Sequence, residues 1–144
     1  MELREVTYLA VALRIFAVVF IGGILGLERG MKHRPAGLRT YMLVCVGACV
    51  IMLTNQYTFQ MFGSGDPVRM GAQVVSGIGF LGAGTIIVTR RNQIKGLTTA
   101  AGLWSAAGVG LALGVGAPNT QHLILPLTPL YLIHFKILGF FFFF

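Results

Sequence analysis

The sequence predicts an all-α membrane protein: a polytopic helical bundle of four spans with a candidate fifth. Two observations predict it. Apolar residues make up 56% of the chain and charged residues only 10%, against roughly 45–50% and about 25% in soluble domains. The charges also fall in short clusters between long uncharged runs, and those runs do not alternate apolar with polar as a barrel strand would. Only helices and closed barrels satisfy the backbone in lipid, so helices remain.

The first run is Ile15–Leu27, extended upstream through Val6–Leu13 across Arg14. The second is Tyr41–Phe62 and the third Met70–Thr89. The fourth starts at Gly96 and meets no charge before Lys136, with a break at Gly114–Thr120 (GVGAPNT). At roughly 20 residues per crossing, these give spans at about 6–27, 41–62, 68–89 and 96–116 within one transmembrane domain, 6–116. Residues 117–144 form an atypical apolar tail carrying Pro126, Pro129, His134 and Lys136 and ending in Phe140–Phe144. The tail reads either as a fifth span or as a truncated or frameshifted end.

The net charge of +7 raises nucleic acid as a partner, but the placement of the charges argues for membrane topology. Linker one carries Arg29, Lys32, Arg34 and Arg39, and linker three carries Arg90, Arg91 and Lys95. Linker two carries only Asp66 and Arg69. The positive-inside rule then puts linkers one and three in the cytoplasm and the N-terminus outside. Glu2 and Glu5 occupy the place of a basic n-region, so no cleaved signal peptide is expected.

Gly77–Gly82 matches GxGxxG, but inside an apolar run that pattern reads as helix packing. Gly22–Gly26 and Gly110–Gly114 have GxxxG spacing. The expected packing glycines are Gly22, Gly26, Gly77, Gly79, Gly82, Gly84, Gly110 and Gly114. Asp66-Pro67 is expected to cap the third span. From there Asp66, Arg69, Gln73 and Ser76, with Gly77, Phe80 and Gly84, share one helix face. That face reads as a polar contact or lining surface. Arg14 is a further candidate for this polar set. It is expected to snorkel outward, with pairing to Asp66 as the alternative.

Glu28, Arg29, Arg34 and Arg39 are candidates for a cytoplasmic contact surface, against the plainer reading of charges that complement helix ends and anionic lipid. Cys45 and Cys49 lie one turn apart and read as packing residues, since a disulfide there is geometrically poor and two sulfurs make an incomplete metal site. His33, His122 and His134 are scattered. Neither catalytic nor metal-binding residues are expected, nor a cofactor, and the chain is expected not to be an enzyme.

Four stretches taken together resemble the MgtC/SapB family of bacterial inner-membrane proteins: IGGILGLERG (Ile21–Gly30), RPAGLRTYMLV (Arg34–Val44), DPVRMGAQVVSGIGFLGAGTII (Asp66–Ile87) and KGLTTAAGLWSAAGVGLALG (Lys95–Gly114). The resemblance covers most of residues 9–116. It implies a multi-helix plasma-membrane protein linked to growth at low magnesium, survival inside macrophages and restraint of the rotary ATP synthase. Some members carry a magnesium-transporter label that is disputed. The family's motif residues fall on Glu28, Arg29, Pro35, Gly37, Arg39, Asp66, Arg69, Gln73, Ser76, Gly77, Gly79, Gly82, Gly84, Gly96, Thr98, Thr99 and Trp104. Thr98 stands where virulence-associated members often have Asn. Larger members also carry a C-terminal soluble domain without counterpart in this sequence, and beyond about Gly116 the resemblance fades. These departures weigh against transferring the virulence role.

The expected function is therefore regulatory, exerted through the lipid-embedded helices on a membrane complex, ATP synthase by resemblance, with a homo-oligomer as a further expectation. The alternative is a small transporter or channel component for Mg²⁺ or another ion. Mg²⁺ seeks octahedral oxygen ligands, usually with carboxylates, and the spans offer one carboxylate near each membrane face.

Overall fold

The computed structural model of the chain describes residues 6–88 and 93–116. Four helices account for most of them: α1 (Tyr8–Met31), α2 (Leu38–Phe62), α3 (Arg69–Gly84) and α4 (Leu97–Val115). A two-stranded antiparallel ribbon, β1 (Ile87–Val88) with β2 (Ile94–Lys95), joins α3 to α4.

Helices α1, α2 and α4 contain 24, 25 and 19 residues, or roughly 36, 38 and 29 Å at ~1.5 Å per residue. Each is long and apolar enough to cross a hydrocarbon core of about 30 Å. The basic cluster ends α1: the Lys32 and Arg34 amides bond back to the Glu28 and Arg29 carbonyls at 3.2 and 3.1 Å. Helix α2 stops at Gly63, whose left-handed φ of 62° lets its N–H reach the Phe59 carbonyl at 2.9 Å.

The third run departs from expectation. Instead of a span over 68–89 it gives a 16-residue helix, roughly 24 Å long, followed by extended backbone. Among the described residues three helices, not four, therefore have the length and apolarity of a span. The cause is local. The Thr85 hydroxyl and N–H both bond to the Gly82 carbonyl, at 2.8 and 3.0 Å, which tightens the last turn. The β-branched Ile86-Ile87-Val88 then favours strand. Asp66 does not cap α3 directly either. Val68 holds the N-cap position, and Asp66 Oδ1 accepts from its N–H at 2.9 Å. The candidate fifth span lies outside the described residues.

Helix α2 is the centre of the bundle. Val18, Ile21 and Leu25 of α1 and Leu103, Ala106 and Leu113 of α4 bury against its Tyr41, Cys45, Cys49 and Leu53. Helix α3 joins through Ile78, which packs with Ala48 and Ala107. Close approaches give the directions. Gly26 abuts Leu38 and Gly22 abuts Met42, so α1 and α2 are antiparallel. Gly102, Gly110 and Gly114 abut Tyr41, Cys45 and Cys49 in turn, so α4 runs parallel to α2. Gly71 lies near Leu111 and Gly82 near Ala100, so α3 runs antiparallel to α4. The outer surface carries Leu9, Leu13, Phe16, Phe20, Leu43, Phe80 and Trp104, all exposed, as lipid contact requires.

Candidate functional site

Arg14 does not snorkel. It is only 4% exposed because position 14 continues the buried stripe Val18, Ile21, Leu25 of α1. Its Nη1 donates to the Gly114 carbonyl at 3.0 Å and to Gln56 Oε1 at 3.3 Å. Gln56 Nε2 in turn donates to the Val115 carbonyl at 2.6 Å. These carbonyls belong to the last turn of α4, where no intrahelical donor remains and the helix dipole is negative. Arg14 and Gln56 together thus cap α4 from two other helices. Gly116, left-handed at φ 66°, turns the chain over the guanidinium. A β-carbon at that position would overlap Arg14.

The structure does not bring Arg14 together with the other candidate polar residues. Asp66, Arg69, Gln73 and Ser76 are all exposed, as are Gly77, Phe80 and Gly84. They form the exposed face of α3, of which Gln73 and Gly77 border an open groove against α2, while Gly71, Ile78 and Gly82 are buried inward. Ser76 Oγ donates back to the Ala72 carbonyl at 3.4 Å.

The cytoplasmic candidates divide. Arg34 and Arg39 are exposed, but Arg29 is only 3% exposed, since it completes the buried stripe of α1. Arg29 is therefore not a surface contact residue. Glu28 lies between Arg29 Nε at 3.7 Å and Lys32 Nζ at 2.6 Å. The glycines also divide. Gly22, Gly26, Gly82, Gly110 and Gly114 meet a neighbouring helix, whereas a β-carbon on Gly77, Gly79 or Gly84 would meet nothing within 4 Å. Helix α3 packs through its Gly71–Ile78–Gly82 side, which leaves Gly79 and Gly84 facing outward and Gly77 bordering an open groove against α2.

Cys45 and Cys49 are free and buried, and Cys45 Sγ donates to the Ala106 carbonyl at 3.2 Å. Among the described residues no three or more His, Cys, Asp or Glu side chains converge. The sequence reading missed Asn55 and Gln56, both buried. Asn55 Nδ2 donates to the Pro67 carbonyl, tying the end of α2 to the start of α3. The signal was present: Gln56 continues the i, i+4, i+7 stripe Cys45, Cys49, Met52.

Three long apolar helices packed through small residues, with an arginine held inside, define a polytopic helical membrane protein. The MgtC family model matches residues 15–139, and the chain belongs to that family. The match continues past Gly116 into the C-terminal stretch. Relatives include the putative magnesium transporter YhiD of Escherichia coli K12, 43% identical over 62% of this chain and 43% of its own length. SapB of Bacillus subtilis is 40% identical over 63% of this chain and 41% of its own. MgtC of Brucella abortus is 48% identical over 58% and 33%. The chain thus matches less than half the length of these relatives. No solved structure matches it.

Proposed function

We propose that the chain is a non-enzymatic, multi-pass protein of the bacterial inner membrane that regulates a partner membrane complex, in the setting of low-magnesium adaptation and intracellular survival. The rotary ATP synthase is the partner that the family resemblance implies. The observation that carries this reading is the outward face of α3. Gln73 and Ser76 sit there among apolar neighbours, with Gly77 and Gly84 offering close approach. Polar side chains facing lipid are costly, and small residues are where membrane helices meet. A helix of another protein satisfies both.

The proposed topology has four crossings and the N-terminus outside. Because α2 and α4 are parallel, the chain must return across the bundle between Phe62 and Leu97. Helix α3 makes that return, and local thinning of the bilayer accommodates its shortness.

Co-purification and ATP-driven proton pumping in inverted vesicles test the reading. The chain is expected to co-purify with ATP synthase and lower pumping, and Gln73→Leu with Ser76→Leu is expected to release both effects. Failure to co-purify, with pumping unchanged, overturns the assignment of that partner.

The name of the E. coli relative favours a second reading, a transporter or channel component for Mg²⁺ or another ion. Against it, both described carboxylates are engaged: Glu28 with Arg29 and Lys32, and Asp66 with the Val68 amide. Saturable Mg²⁺ flux into proteoliposomes, lost in Asp66→Ala, would establish transport in place of regulation alone.

A further inference from the structure

A groove of about 850 Å³ runs between α2 and α3, with Arg39, Thr40, Gly47 and Ile51 on one side and Met70 and Leu81 on the other. Gln73 of α3 is the other polar residue in its walls, which are otherwise apolar, and it falls in the size range of ligand sites, ≈ 300–1,000 Å³. From Arg39 to Ile51 it follows α2 for roughly 18 Å, a little over the ~15 Å hydrocarbon depth of one leaflet.

The charge is confined to one end. Arg39 is exposed there, and the carboxylate nearest in sequence, Glu28, is engaged by Arg29 and Lys32. The first turn of α2 holds no acidic residue, and its N-cap, Gly37, supplies no side-chain cap. The positive dipole end of α2 therefore adds to the Arg39 charge.

We propose that this groove binds an anionic phospholipid. The phosphate sits at Arg39, Thr40 and the first turn of α2, and an acyl chain lies along α2 to Ile51. Basic pockets between membrane helices at the headgroup level suit such lipids. Charge complementarity favours a lipid over a second copy of the chain. In a parallel second copy, Asp66 would lie at the far end of α2 and Glu28 is already engaged.

The test uses the full chain in mild detergent, titrated with phosphatidylglycerol or phosphatidylethanolamine and read by native mass spectrometry. Phosphatidylglycerol is expected to be retained in preference. Arg39→Gln is expected to weaken it about fivefold, the worth of one basic residue near a headgroup, with phosphatidylethanolamine unaffected. Gly47→Leu is expected to abolish retention of both lipids. A β-carbon at Gly47 meets nothing within 4 Å, so the leucine has room to enter at its base, and circular dichroism checks that the helices persist. Equal retention of the two lipids, or unchanged binding in Arg39→Gln, overturns the proposal. So does a lipid-free dimer that Gly47→Leu splits. Gln73 and Gly77 of the α3 contact face also line the groove, so the two readings are separated by readout: lipid retention in the α2 variants, and ATP synthase co-purification in Gln73→Leu with Ser76→Leu.

Discussion

Arg14 Nη1 lies 3.0 Å from the Gly114 carbonyl oxygen, so α1 closes the end of α4. Replacing Arg14 by Leu leaves that carbonyl and Gln56 Oε1 without this donor. The expected loss is about 1–3 kcal/mol, read as a lower midpoint when the detergent-solubilised protein is unfolded with SDS. Arg14→Lys keeps the charge but loses the planar fork and is expected to recover only part of it. An unchanged midpoint in Arg14→Leu would show that the cap contributes nothing to stability.

Two glycines should respond in opposite directions. A β-carbon on Gly26 would lie 2.5 Å from Leu38 Cα, a backbone atom, whereas one on Gly79 has no neighbour within 4 Å. Gly26→Ala is therefore expected to cost about 1–3 kcal/mol by overpacking. Gly79→Ala should be neutral or gain up to ~1 kcal/mol from helix propensity. Thermal melts of the two variants side by side measure the difference.

The Glu28–Lys32 pair sits at the end of α1 with the lysine well exposed. Such pairs contribute roughly 0–1 kcal/mol, so Lys32→Ala should leave the melting temperature nearly unchanged. A drop comparable to that of Gly26→Ala would mean that the pair anchors linker one.

Orientation can be read by cysteine labelling, because Cys45 and Cys49 are buried and give little background. With a membrane-impermeant maleimide, Ser64→Cys, in the exposed turn after α2, should label in intact cells. Arg34→Cys should label only after permeabilisation. The reverse pattern would invert the topology.

The sequence made α1, α2 and α4 legible because uncharged length bounded by basic residues reports the solvent around a helix. It reports the neighbours of a helix less well. Arg14 looked like a snorkelling residue until α4 supplied carbonyls for it, and those carbonyls lie 100 positions away. Gly77, Gly79 and Gly84 looked like packing residues because composition does not say which side of α3 meets a partner. The break after Gly84 was hidden because Ile86-Ile87-Val88 is as apolar as the helix before it. Gln56 was readable from its spacing, yet it stood in a run treated as apolar filling.

The cap on α4 also sets an order of assembly. Helix α1 leaves the ribosome before α4, carrying an arginine whose backbone acceptor, the Gly114 carbonyl, has not yet been synthesised. The bundle can lock only when α4 is in place, so insertion and folding are separated in time. A chain released before residue 114 would carry a bilayer-embedded guanidinium without that seat. The separation of 100 positions between Arg14 and Gly114 thus ties the seating of α1's arginine to completion of the last described helix.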